Sequence, residues 1–151
     1  MNKLNLVSSE NKYNLLSGRV SLLLNRFLSQ QFKNKGVNLT REQWSVLAVL
    51  WKTDGCSQQV IANSTSRDKP SVTRLVDNLV RDGYVIRKNH ENDRRLNLIF
   101  LTEKGKEVEK VVMGIVDDTI EKATKGLSDE QIVAIRDAFQ VVYENLNAYI
   151  K

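Results

Sequence analysis

Leu16, Val20, Leu23, Leu24, Phe27 and Leu28 follow one another at steps of three and four, the period of a helix with one apolar face. The pattern predicts one N-terminal helix over residues 8–36, closed by Gly36 where helices commonly turn left-handed. A second helix should start at Arg41, because Thr40 and Gln43 have the T-x-x-Q spacing of a capping box and Leu39 and Trp44 flank it as a hydrophobic staple. Its inward residues would be Trp44, Leu47 and Leu50 or Trp51. After the turn at Asp54-Gly55, Ser57 can cap a short helix that carries Val60 and Ile61 inward. A polar break from Asn63 to Asp68 precedes a third helix, Lys69 to Asp82, with Pro70 in the first turn, where a missing N–H is tolerated. Val72, Leu75, Val76 and Leu79 form its buried stripe, and Gly83 ends it.

The period then shortens to two. Tyr84–Lys88 is rich in aromatic and β-branched residues, and Leu96–Leu101 alternates Leu96, Leu98 and Phe100 against Asn97 and Ile99. The two read as an antiparallel hairpin with Asn89–Arg95 as its loop. Thr102 caps a long helix with Val108, Val111, Val112, Ile115, Val116 and Ile120 on one stripe. Ser128 and Gln131 make a further capping box, with Leu127 and Ile132 as its staple, ahead of a last helix carrying Ile132, Ile135, Phe139, Val142, Leu146 and Tyr149 along one face.

The predicted fold class is mainly α with a small β-hairpin wing. A winged helix-turn-helix lobe at residues 40–101, with recognition helix 69–82 and wing 84–101, would lie between an N-terminal dimerisation helix (8–36) and C-terminal dimerisation helices (102–151), all in one chain of 1–151. Such a lobe cannot cover both faces of the long outer helices. Their apolar stripes therefore predict a second copy, a homodimer.

Charge sharpens the picture. The net charge is +5, and it divides as six Lys/Arg against one acid in residues 1–39, ten against seven in 40–101, and seven against ten in 102–151. A basic front with an acidic back fits a polyanionic partner. In a winged helix-turn-helix the helix after the short one enters the major groove of double-stranded DNA. Lys69, Ser71, Thr73 and Arg74 supply donors and acceptors near its N-terminus, Lys and Arg being suited to guanine O6 and N7, and Arg67 and Asn78 are further candidates. Arg94 and Arg95 at the hairpin tip are placed for a narrow minor groove, with Arg87 and Lys88 near the phosphates. Solvation alone would also explain a polar helix face. A bare Asp93–Arg95 ion pair would contribute only roughly 0–1 kcal/mol.

Three segments, LTREQWSVLAVLWKTDG, QQVIANSTSRDKPSVTRLVDNLVRDGYVIRK and NDRRLNLIFLTEKGKEV, resemble the MarR (multiple antibiotic resistance regulator) family of bacterial transcription regulators. The family's marker, Asp-x-Arg, five residues, then Leu-Thr, two residues and Gly, is present as Asp93, Arg95, Leu101, Thr102 and Gly105, and Val72–Leu79 matches the V-T-R-L-V-D-x-L core. The similarity is detailed over residues 39–108 and extends to the flanking helices in pattern only. The resemblance implies a homodimer of interlocked terminal helices, two winged lobes on a palindromic operator, and often a small effector bound between dimer helices and lobe that lowers DNA affinity, as in a ligand-responsive repressor. It makes Arg95 the prime wing contact and gives Asp93 the task of orienting it. Pro70 departs from the family, in which many relatives carry a hydroxyl residue there.

Other chemistry finds little support. One cysteine, Cys56, allows no internal disulfide, and with one histidine, His90, it leaves too few soft ligands for an ordinary zinc site. No metal and no cofactor are expected. A Cys56–His90 catalytic pair would need two distant loops to meet, so the chain is not read as an enzyme. Some relatives sense oxidants through a cysteine in the first helix, which has none here, and Cys56 reads as a small packed residue. The longest uninterrupted apolar run, Val46–Trp51, is far short of a membrane span and no signal-like start is present, which implies a cytoplasmic, nucleoid-associated address. The alternative is a winged helix used as a protein-interaction module without DNA binding.

Overall fold

The structure is a computed structural model that describes residues 7–150; the side chain of Arg94 lies outside that description. Seven helices and three strands follow one another among the described residues: α1 (Ser9–Leu16), α2 (Arg19–Asn34), α3 (Arg41–Lys52), β1 (Cys56–Ser57), α4 (Gln58–Thr65), α5 (Lys69–Arg81), β2 (Val85–His90), β3 (Asp93–Leu101), α6 (Glu103–Ala123) and α7 (Asp129–Tyr149).

The helix expected over residues 8–36 is two helices. Gly18 takes φ +96° and Ser17 N closes α1 on the Tyr13 carbonyl. A left-handed residue ends an α-helix, and glycine adopts that conformation without a Cβ penalty. Leu16 and Val20 stay in step across the break, so periodicity alone passes over it. The other starts follow local chemistry. Thr40 and Ser128 form complete capping boxes with Gln43 and Gln131, and Ser57, Asp68 and Thr102 each accept from the amide three residues on.

The core of the lobe is built from α2 to α6 and the sheet, with Phe32, Val46, Leu47, Leu50, Ile61, Val72, Val76, Leu79, Val85, Ile99 and Val112 fully buried. Two expectations are corrected here. Val60 is 43% exposed, while Ile61 is buried as expected and Ala62 joins it, because a helix of eight residues presents only one narrow stripe to α3 and α5. In α3 the core takes Val46, Leu47 and Leu50, while Trp44 and Trp51 stay half-buried at its rim.

The sheet has the order β1-β3-β2, all antiparallel, so the hairpin gains a third strand in which Cys56 pairs with Ile99 and Ser57 with Leu98. Two residues are too few to leave a periodic signature. Asp54 pins this corner, its Oδ1 accepting from Leu101 N at 2.8 Å and Gly55 N at 3.0 Å. Cys56 is buried, and desolvation is the main cause that pushes its thiol up from the usual range, the opposite of what a reactive thiolate needs.

The outer helices are only partly covered. α6 packs on α2 through Val112, Ile115, Val116 and Thr119, but Val111 and Ile120 of the same helix stay exposed. No residue of α7 is buried: Ile132, Ile135, Phe139, Leu146 and Tyr149 all face outward, as do Leu15, Leu16, Val20 and Leu23 of α1 and α2. No described helix is long and apolar enough to cross a membrane.

Candidate nucleic-acid interface

Helices α4 and α5 are joined at Ser66–Asp68, where Ser66 caps α4 in the left-handed region at φ 53°. Asp68 then starts α5, its Oδ1 accepting from Ser71 N at 2.8 Å. Hydrogen bonds from the Ser71 amide and hydroxyl, with the charge of Arg74 as a lesser cause, hold the Asp68 carboxyl below its ordinary range. The helix that follows turns Val72, Val76 and Leu79 into the core, which leaves Lys69, Thr73, Arg74 and Asp77 exposed and Ser71 and Asn78 half-covered.

Arg87 ties this helix to the wing. Its Nη2 lies 2.6 Å from Asp77 Oδ1 and donates to the Thr73 carbonyl at 3.3 Å, while Nε donates to Gln58 Oε1 at 3.1 Å. Gln58 Nε2 completes the circuit by donating to Thr73 Oγ1 at 3.0 Å. Arg87 therefore bridges β2, α4 and α5, which differs from its reading as one more wing cation. The strand explains the difference: Arg87 is two residues from the buried Val85 and pairs with the buried Ile99, so it shares their inward side.

The wing is also more regular than expected. β2 runs through His90 and β3 begins at Asp93, so Arg94 and Arg95 belong to the strand rather than to a seven-residue loop. The pairing slips between Asn89 and His90, which lets a short turn close the hairpin. Asp93 Oδ1 accepts from Arg95 N at 3.0 Å and lies 3.8 Å from Arg95 Nε, so it holds the backbone of Arg95 more firmly than the guanidinium. That side chain is 95% exposed. Lys88 is turned to the other side of the hairpin, its Nζ 5.4 Å from the Phe100 ring centroid. Thr102 joins the wing to α6: it caps that helix by accepting from Gly105 N at 3.1 Å and donates to the Gly83 carbonyl at 2.6 Å.

Of the candidate residues, Lys69, Thr73 and Arg95 come together on one cleft of about 210 Å3, whose other walls are Ser57, Gln58, Gln59, Leu96 and Asn97. None of these residues is acidic. Ser71, Arg74 and Asn78 lie farther round or along α5, Lys88 faces away, and Arg67 lines a different cavity on the far side of α4. Sequence reasoning missed Ser57, Gln58, Gln59 and Asn97. The available signal was Ser57 as an N-cap, which sets the first turn of α4 beside the first turn of α5.

A short helix, a turn, a second helix with a free polar face, and an antiparallel wing define a winged helix-turn-helix lobe. The MarR family model matches residues 39–96. The HTH-type transcriptional regulator BilQ of Clostridium symbiosum is 26% identical over 105 residues, covering 70% of this chain and 72% of BilQ. Among solved structures, a mutant MarR from E. coli complexed with operator DNA superposes with a TM-score of 0.81 at 23% identity, over 91% of this chain and 98% of that one. CouR from Rhodococcus jostii, bound to p-coumaroyl-CoA, is 28% identical with a TM-score of 0.73, over 85% and 88% of the two chains. These matches support a MarR-type winged-helix transcription regulator, and the relatives named are regulators rather than enzymes.

Proposed function

We propose that this chain reads double-stranded DNA as a homodimer on a palindromic operator, with α5 in the major groove and the wing at the adjacent minor groove, and that it acts as a ligand-responsive repressor in the cytoplasm. The observation that carries the DNA reading is the acid-free cleft where Lys69 and Thr73 of α5 meet Arg95 of β3. It lies beside the first turn of α5, and its Lys69 and Arg95 supply the positive charge that attracts phosphate. The exposed Arg74 and the half-covered Asn78 continue the polar side of α5 toward base edges, and Ser71 is at its first turn.

The exposed apolar residues of α1, α2 and α7 support the homodimer, since so much apolar surface on long helices calls for a partner of the same kind. Sedimentation should give a dimer at micromolar concentration, and a monomer there would remove the two-lobed operator. Effector response is supported by CouR, whose structure holds a CoA ester, and by a cavity of about 650 Å3 between α2 and α6 whose lining includes Gln31, Lys35, Lys110, Val111 and Ile115. Repression is tested by transcription from the recovered operator, which should fall when the protein is added.

Selection of bound fragments from random duplexes tests the central claim. Two half-sites about one helical turn, roughly 10 bp, apart are expected. Arg95→Ala should weaken binding to every sequence and make the salt slope shallower by about 0.9 for each phosphate it no longer neutralises. Binding that is absent, or unaffected between low and moderate salt, would favour the protein-interaction module instead.

A further inference from the structure

The buried side-chain donors that meet no acceptor among the described residues all belong to one cavity. Arg41 Nε, Trp44 Nε1 and Arg67 Nε are covered and unpartnered, and the three side chains line a hollow of about 480 Å3 between α3 and α4. Lys52 also lines it, and no carboxylate does. Neither Lys52 nor Arg67 takes part in an ion pair among the described residues, and Arg41 meets only Glu42, at 3.7 Å through Nη2. Asp68 follows Arg67 in the chain, but its Oδ1 serves the Ser71 amide and the basic charge acting on it is that of Arg74. The remaining wall is mixed: the Trp44 ring, Ala48, Val49 and Val60 form an apolar patch, and Ser45, Thr53, Ser64 and Thr65 add hydroxyl groups.

Buried N–H groups nearly always find an acceptor, so three orphans on one wall ask for a common cause. A hollow of this size, with an apolar patch and a few convergent donors, has the make-up of a small-molecule site. Three cations and no lining acid set the sign of the ligand. We propose that the α3–α4 cavity binds a small organic carboxylate: its head is taken by Arg41 and Arg67, whose planar forks match a carboxylate, with Trp44 Nε1–H as a third donor, and its apolar body lies against Trp44, Ala48, Val49 and Val60. The Nε atoms are covered, so seating the acid turns both guanidinium groups toward it. A bare oxyanion would satisfy the donors but leave the apolar patch of Trp44, Ala48, Val49 and Val60 in water. The site is built by the lobe alone, and so does not depend on the DNA reading. It is separate from the α2–α6 cavity.

The two tryptophans provide the readout. Trp51 Nε1 donates to the Gly105 carbonyl at 2.9 Å, whereas Trp44 Nε1 has no partner, so their indole N–H resonances report on different places. Titrating the isotope-labelled whole chain with 2-naphthoate should move the Trp44 resonance and leave that of Trp51, with Trp44→Phe fixing the assignment. 2-Naphthamide, which keeps the shape without the charge, and inorganic phosphate, which keeps charge without the body, should each bind about tenfold or more weakly. Arg41→Gln and Arg67→Gln should each weaken naphthoate by about ten- to a hundredfold, with an unchanged Trp51 resonance showing that the fold is intact. A Trp44 resonance that stays in place overturns the site, and so does equal binding of the amide or unweakened binding by both Arg41→Gln and Arg67→Gln. Movement confined to residues around Gln31 and Ile115 would assign the acid to the α2–α6 cavity and overturn it too.

Discussion

Gly105→Ala should destabilise this protein although it replaces glycine by the best helix former. Gly105 lies in the first turn of α6 with ordinary helical backbone, so propensity alone predicts a gain of up to about 1 kcal/mol. The surroundings reverse the sign. A Cβ there would overlap the Tyr84 carbonyl oxygen and come within 3.2 Å of Leu101 Cδ2, so backbone rather than a flexible side chain must give way. Moving α6 away strains the Thr102 hydroxyl bonds to Gly83 O and Tyr84 O at 2.6 and 3.1 Å and the Trp51 bond to the Gly105 carbonyl at 2.9 Å. Overpacking costs about 1–3 kcal/mol and each weakened hydrogen bond up to about 1 kcal/mol, which together outweigh the propensity gain and leave a net loss of roughly 2–4 kcal/mol. For a chain of this length that is a fall in melting temperature of about 5–15 °C. Gly114→Ala is the internal control, because it lies in the same helix with nothing within 4 Å of its Cβ position. Calorimetry at one fixed protein concentration, which keeps any dimer contribution constant, should show Gly114→Ala unchanged or stabilised and Gly105→Ala clearly lowered. If both variants melt at or above the parent temperature, close approach of α6 to the start of the wing is not what selects glycine, and the argument fails.

Arg87→Met should act mainly on function. Arg87 is partly solvated and its partner Asp77 mostly so, which limits the stability loss to roughly 1 kcal/mol. DNA affinity should fall about tenfold or more, since α4, α5 and β2 lose the group that sets their relative orientation. The salt slope should change by no more than about 0.9, the share of a single phosphate. An unchanged Kd on the selected operator would demote the bridge to a surface ion pair. Asp68 gives a pH test. Its folded pKa lies below the unfolded one, so the stabilisation is present above the ordinary carboxylate pKa, about 3.9, and is lost as pH falls through the lower folded value. Asp68→Asn keeps a cap that does not titrate, so its melting temperature should fall less steeply below about pH 4 than that of the parent; parallel curves would show that the cap charge is not involved.

Local chemistry in the sequence determined most of the architecture. The T-x-x-Q and S-x-x-Q boxes, Pro70 in a first turn and the period-two run before Thr102 act over three to six residues; the helices they mark start where those signals put them, and β3 contains the period-two run but begins three residues earlier, at Asp93. The Asp93-to-Gly105 marker likewise points to the family with no knowledge of any contact. Contacts between segments distant in the chain were decided only by the tertiary structure. In the sequence Arg87 is one more wing cation; strand register sets it against Asp77 and Gln58, the latter 29 residues away. Arg67 reads as a companion of Lys69, yet the left-handed Ser66 turn sends it to the α3–α4 cavity. Gly105 is a motif letter until Tyr84 is placed against it. Periodicity reports which side of an element is apolar; what that side, or a charge beside it, will meet depends on how the elements cross, and that is fixed by packing over the whole chain.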